Sequence, residues 1–353
     1  MLVHSDRKLE VDLLKTAGIL AVVIIHSLRD FWNPGFTASE LWIGQMMRFG
    51  VPAFLAVSGF LYAMPPASWP SIRPRLRRIL FPYLLASAFA IALGLWQGSL
   101  NMPPAYMLDT IVGTASDTSP LARTTVALTL DVALGNAFGP YYYVGIISFF
   151  VLVSPMIALL SHRALTILLL MALSAQVLFE GGFWYWNDFF WHVRNPALWA
   201  GYFITGWYLR VHAEPITRFV ESFRPRLLAC ATGITLGCAT LLAFESAGTL
   251  PHSLVQLTAW IGVYGILGIL FLSASGRQTR SIWLTRISDL TYTIYLFHLF
   301  VLYPIRKSIG VSAEGFDPFL LIGTAAISFL VPFSLALGLR RLFGERSRIW
   351  IGA

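Results

Sequence analysis

Charge is what this sequence has least of. Asp, Glu, Lys and Arg make up 12% of its 353 residues, about half the share that covers the surface of a soluble domain. Cysteine is nearly absent. Cys230 and Cys238 lie eight residues apart on one expected helix, about 12 Å along its axis, which is too far for a disulfide. Neither a disulfide framework nor a metal cluster is expected, and packing is the role left to both. A cleavable leader is also lacking: the first apolar run begins at Val11 and carries no small-residue cleavage site, so it is expected to stay as a membrane helix. Internal repeats, low-complexity linkers and any stretch polar enough for a soluble domain are missing as well. Residues 1–353 therefore read as a single membrane-embedded domain.

What fills the chain is hydrocarbon. Hydrophobic residues account for 57% and the mean hydropathy is +0.69. Apolar runs long enough to cross a bilayer recur near 11–30, 40–64, 79–98, 141–160, 164–180, 197–211, 227–246, 254–274, 287–305 and 318–340. The expected fold is an all-α polytopic bundle of about ten transmembrane helices with both termini cytoplasmic. The net charge of +8 does not point to nucleic acid, because its distribution follows topology. With a cytoplasmic N-terminus, nineteen Lys and Arg fall at or near the cytoplasmic face, against five outside: Arg29, Arg123, Arg194, Arg306 and Lys307. That asymmetry is the positive-inside bias, and a bacterial inner membrane is the expected location. Outside, residues 99–140 hold two partly apolar stretches, at 105–113 and 121–138, suited to interfacial or re-entrant helices. A second outside segment, 181–196, is crowded with aromatics, among them Trp186, beside Asp188 and His192. It reads either as an aromatic belt or as a stacking surface for a sugar ring.

Polar groups inside the spans are costly and so mark function. The first helix carries Asp12, Lys15 and His26. Eleven residues, close to three turns, put Lys15 and His26 on one face about 16 Å apart. Arg48, eight residues into the second span, is expected at the depth of His26; it keeps its charge and needs an anion, carbonyls or water. Pro52 allows a kink there, and Ser58-Gly59 offers a small-residue surface for close helix contact. Arg73, Arg75, Arg77 and Arg78 follow, serving topology or guanidinium recognition of nucleotide phosphates. In the ninth span Asp289, Tyr292, Tyr295 and His298 recur every third residue as a drifting polar stripe. His298 either faces the cavity of His26 or bonds a neighbouring helix. Tyr142, within Tyr141–Tyr143, opens the fourth span as belt or pocket rim.

Four ordered motifs carry a resemblance: Lys15-x10-His26, V-P-A-F-L-A-V-S-G-F-L from Val51, Arg75-x-x-Arg78 before I-L-F-P-Y, and I-Y-L-F-H ending at His298. Together they resemble the acyltransferase family 3 membrane proteins, which O-acylate surface and periplasmic glycans. The resemblance implies a catalytic role for His26 with Lys15 as its paired basic residue, and maps the family's basic pair to Arg75 and Arg78. Lysine stands at position 15 where arginine is commoner, which keeps the charge but loses the bidentate fork. The implied reaction moves an acyl group, acetyl or succinyl, from cytoplasmic acyl-CoA to a hydroxyl of an extracytoplasmic glycan or glycolipid. His26, with Asp12, Lys15 and Arg48, is the expected catalytic group, acting as base or acyl carrier. Arg75, Arg78, Arg73 and Lys15 are expected to hold the donor, and Tyr142, Trp186, Asp188, His298, Tyr295 and Ser58 the acceptor. No tightly bound cofactor is expected. A proton-coupled carrier or polysaccharide exporter is the competing reading, but no corresponding pair of Gly/Pro-broken spans is found.

Overall fold

The computed structural model describes residues 8–28, 37–63, 68–97, 102–113, 119–180, 189–245, 251–277, 281–309 and 317–352. Among them every regular element is helical. The chain runs through α1 (Leu9–Ser27), α2 (Ala38–Met47), α3 (Gly50–Tyr62), α4 (Trp69–Gln97), α5 (Ala105–Val112) and α6 (Pro120–Ala133). It continues through α7 (Tyr142–Ala158), α8 (His162–Glu180), α9 (Phe189–His192), α10 (Pro196–Val211), α11 (Ala213–Glu245) and α12 (His252–Ala274). The last helices are α13 (Ile282–Ile309), α14 (Pro318–Phe343) and the short α15 (Ser347–Trp350).

Local sequence sets several starts. Thr37 and Glu40 form a reciprocal capping box on α2. Asn195-Pro196 and Asp317-Pro318 each place a side-chain cap before a proline, whose missing N–H costs nothing in the first turn. The span expected over 40–64 is two helices, broken at Arg48–Phe49. Pro52 sits in the first turn of α3 and has no N–H for the Arg48 carbonyl, which explains the break just before it. The two stretches expected in the outside segment are helices, α5 and α6, tied by an Arg123–Asp109 ion pair of 2.6 Å.

Six helical segments are long and apolar enough to cross a membrane: Trp69–Gln97, Gly139–Ala158, His162–Glu180, Ala213–Phe244, Ser253–Ala274 and Pro318–Phe343. The protein is an all-helical, multi-pass membrane protein. The expected spans that fall short are instructive. Helix α1 carries Glu10, Asp12 and Lys15, α2 and α3 are divided at Arg48, α10 has sixteen residues, and α13 holds the polar stripe. These helices pack extensively on other helices. α1 packs on α3, α12, α13 and α14, and α10 lies between α3 and α8. Protein surroundings let them hold polar groups that hydrocarbon would reject.

Close crossings hold this centre together. A Cβ at Gly59 would overlap the Phe203 carbonyl, and one at Gly206 would overlap the Ala56 carbonyl, so α3 and α10 meet backbone to backbone. The small-residue surface at Ser58-Gly59 thus does serve helix contact. Tyrosines pin α13: the Tyr292 hydroxyl donates to the Ile79 carbonyl of α4 at 2.7 Å, and Tyr141 donates to the Leu296 carbonyl at 2.6 Å. After α14 the chain turns back, with Trp350 edge-on to Phe81 at 5.1 Å and Thr293 donating to the Ile351 carbonyl at 2.7 Å.

Candidate active site

Helix α1 brings its polar residues to α13. Asp12 is buried and accepts a 2.6 Å hydrogen bond from the Ser288 hydroxyl. Lys15, one turn on, is partly buried. Fourteen residues above Asp12, the imidazole of His26 lies with its ring centre 5.4 Å from that of His298, the planes inclined by 41°. Of the two placements expected for His298, the one beside His26 is the one seen: the two rings adjoin.

His298 is fully buried, and its Nδ1 lies 2.8 Å from the Tyr295 carbonyl and 3.2 Å from that of Ile294. A carbonyl only accepts, so Nδ1 carries the hydrogen and the neutral ring presents a bare Nε2. That Nε2 is buried without a hydrogen-bond partner among the described residues. Buried polar atoms rarely go unpaired in folded proteins. An orphaned lone pair beside a second, partly exposed imidazole marks a place for a ligand hydroxyl or proton.

Arg48 takes a different part from the one expected of it. Its Nη1 donates to Gln256 at 2.7 Å and to Gln45 at 3.0 Å, and its Nη2 pairs with Glu180 at 3.3 Å. The guanidinium is thus engaged with α8 and α12. Beside the His298 ring, the charge of Arg306 on α13 bears on His26. None of the Arg48 partners is His26, at whose depth Arg48 was expected. The reason is chemical: a cation near the membrane interior finds a carboxylate first. Tyr142 belongs to the same cluster, within electrostatic reach of Arg48, Arg194 and Glu180 and 6.0 Å from Trp199. His192 joins it, where burial, with the Arg48 charge second, pushes the imidazole below its ordinary value.

Glu180, Gln45 and Gln256 were missed by sequence reasoning because only Lys and Arg were weighed for topology. A carboxylate closing an apolar helix was the available signal. Tyr295, expected to hold substrate, is buried with its hydroxyl donating to the Pro140 carbonyl, so it braces the fold instead. Ser58 is half-buried. Trp186 and Asp188 lie outside the described residues.

The basic run at the start of α4 divides between two faces. The Arg75 guanidinium lies 4.9 Å over the Tyr62 ring, with a buried Nη1 that has no hydrogen-bond partner among the described residues. Arg78 also acts on Tyr62. Arg73 instead lines a separate cavity with Arg77, so the expected grouping of Arg73 with Arg75 and Arg78 does not hold in space. A further cavity of about 420 Å³ lies between α4, α13 and the segment after α6, lined by Gln97, Asp131, Phe138, Phe300, Tyr303 and Lys307. Phe300, Tyr303 and Lys307 project from the side of α13 opposite His298. That cavity is therefore no part of the histidine site. Within it, burial pushes the Asp131 carboxyl up to about 6, although Asn136 donates to it at 2.8 Å.

Fold and site together define a polytopic membrane protein with a histidine pair enclosed in its bundle and an unsatisfied guanidinium on another of its helices. The chain belongs to the acyltransferase-3 family of acyltransferase domains, whose pattern matches residues 8–339. It is also 24% identical over 309 residues to the succinoglycan biosynthesis protein ExoH of Rhizobium meliloti (strain 1021), covering 82% of this chain and 76% of that protein. No solved structure matches it.

Proposed function

We propose that this protein is a membrane O-acyltransferase that moves an acyl group from cytoplasmic acyl-CoA to a hydroxyl of an extracytoplasmic glycan or glycolipid. Family membership supports acyl transfer, and the similarity to a protein of succinoglycan biosynthesis supports a polysaccharide acceptor. Acetyl is the group we assign first and succinyl second. The chain makes ten passes through the bacterial inner membrane with both termini cytoplasmic. The four passes beyond the six apolar ones are α1, α2–α3, α10 and α13, each packed on other helices. On this orientation Arg75 and Arg78 lie at the cytoplasmic end, and His26 lies in the outer half of α1.

The observation that carries the proposal is the facing of His26 and His298. Donor phosphates pair with Arg75, Arg78 and Lys15, and the pantetheine arm reaches along α1. In direct transfer a bare nitrogen of His26 takes the proton of the acceptor hydroxyl as its oxygen attacks the thioester carbonyl. The carbon–sulfur bond breaks, and the departing thiolate takes that proton back from the imidazolium. His298 positions the acceptor, since its bare Nε2 accepts a hydrogen bond from a hydroxyl. If His26 carries the acyl group instead, the same nitrogen attacks the thioester carbonyl and the carbon–sulfur bond breaks to release the thiolate; the alcohol oxygen then attacks the acyl-imidazole, the carbon–nitrogen bond breaks, and the alcohol proton goes to the thiolate.

His26→Ala in purified protein is expected to lower acyl transfer by roughly 10²–10⁴-fold while acyl-CoA still binds; wild-type rates in that variant would refute the assignment. Appearance of acylated glycan, followed by mass spectrometry, also separates transfer from transport, because a carrier would move glycan with no acyl-CoA consumed.

A further inference from the structure

The first turns of α4 read W-P-S-I-R-P-R-L-R-R from Trp69. At 100° per residue Trp69, Arg73, Leu76 and Arg77 share one side of the helix, and Arg75 and Arg78 the other. The structure keeps that division. Arg75 lies over the Tyr62 ring, whereas Arg73 and Arg77 line a cavity of about 710 Å³ with Trp69, Ile72, Leu76 and Leu152 of α7. Both residues are exposed, and neither makes a hydrogen bond or ion pair within the described residues. They stand one turn apart, about 6 Å along the axis.

The surroundings are those of a bilayer edge. Trp69 is exposed, as interfacial indoles are. From the cavity, Leu152 and then Phe149 continue along α7 as an exposed apolar stripe, with Met156 and Leu159 at its other end. Two guanidinium forks suit phosphate oxygens, and the stripe suits a hydrocarbon chain leading into the membrane.

We propose that this cavity binds the headgroup of an anionic phospholipid of the inner leaflet, its phosphate on Arg73 and Arg77 and one acyl chain along Leu152 and Phe149. The leaflet rests on the orientation given above; the pairing of ligand and residues does not. A nucleotide would gain nothing from the apolar stripe, and the donor has its own guanidinium on the opposite face of α4. The basic run then has two tasks, with donor recognition on one side and lipid anchorage on the other.

The test uses the full chain in nanodiscs of equimolar phosphatidylglycerol and phosphatidylcholine, with lipid retained on release measured by native mass spectrometry. Wild type and an Arg75→Gln/Arg78→Gln variant are expected to retain phosphatidylglycerol preferentially. An Arg73→Gln/Arg77→Gln variant is expected to lose that preference by roughly tenfold, and Arg73→Lys/Arg77→Lys to recover part of it, which excludes simple misfolding. The proposal is overturned if wild type retains both lipids equally, if the Arg73/Arg77 glutamine variant keeps its preference, or if acyl-CoA displaces the lipid. Acyl transfer measured in parallel keeps the two readings apart, because its absence from wild type would strike the enzyme assignment and leave the lipid result standing.

Discussion

Removing the Arg48 guanidinium leaves the Glu180 carboxylate, whose side chain is 11% exposed, without its cation, and Gln45 and Gln256 without their donor. Arg48→Ala is therefore expected to cost about 2 kcal/mol of stability, less than a fully buried pair because Arg48 itself is partly solvated. Thermal unfolding in detergent reads this, and a double Arg48→Ala/Glu180→Gln variant should recover much of the loss. Unchanged unfolding in the single variant would remove the pair from the account. Asp131 offers a second test at this scale. Its carboxyl binds its proton more tightly folded, at about 6, than in the unfolded chain, near 3.8. The folded state thus holds the extra proton between roughly pH 4 and 6, and stability falls as pH rises through that window. Asp131→Asn should flatten this dependence, leaving the variant relatively more stable above pH 6 than below 4; parallel wild-type and variant curves would contradict it. At residue scale the sequence disclosed His26 and His298, because a histidine in an apolar run stands out and helical spacing sets its depth. It did not disclose that Arg48 answers Glu180, since partner choice depends on which helices adjoin.

Helices show the same mixture. The basic run of α4 is legible as charge, and its division into two faces follows from the 100° step between residues. The α2–α3 break was legible as Pro52 but falls four residues earlier, where the freed carbonyl of Arg48 lies. Contact between α3 and α10 was readable on one side only. Ser58-Gly59 announced a small surface, while Gly206 in α10 passed unremarked until a partner helix was seen against it. Gly59→Ala and Gly206→Ala each drive a methyl group into a backbone carbonyl that cannot rotate away. Each is expected to destabilise by about 1–3 kcal/mol, and the loss should fall on acyl transfer and thermal midpoint together, because α3 and α1 pack directly on one another. A variant that kept both would show that the crossing is looser than the structure draws it.

For the molecule as a whole, composition alone was enough to establish a helical membrane bundle, because 12% charge cannot cover a soluble surface. Which helices face lipid was a different matter. Hydropathy marks helices by what they would tolerate outside, and the ones that carry Asp12, Arg48 and His298 are polar because other helices surround them. The six apolar segments thus form much of the lipid-facing wall and the polar ones the working interior. From this arrangement follows a sidedness that topology reporters alone would not test. On the proposed binding of the donor at Arg75, with His26 nearer the other end of the bundle, the two substrates would come from opposite compartments. Sealed vesicles with the cytoplasmic face outward should consume acyl-CoA added to the bath and acylate only glycan trapped inside. Vesicles of the reverse orientation should do so only when the donor is enclosed and the glycan is in the bath. Acylation with both substrates on one side, in intact vesicles, would mean that donor and acceptor share an entrance and that the length of α1 between Lys15 and His26 is not the path of the acyl group.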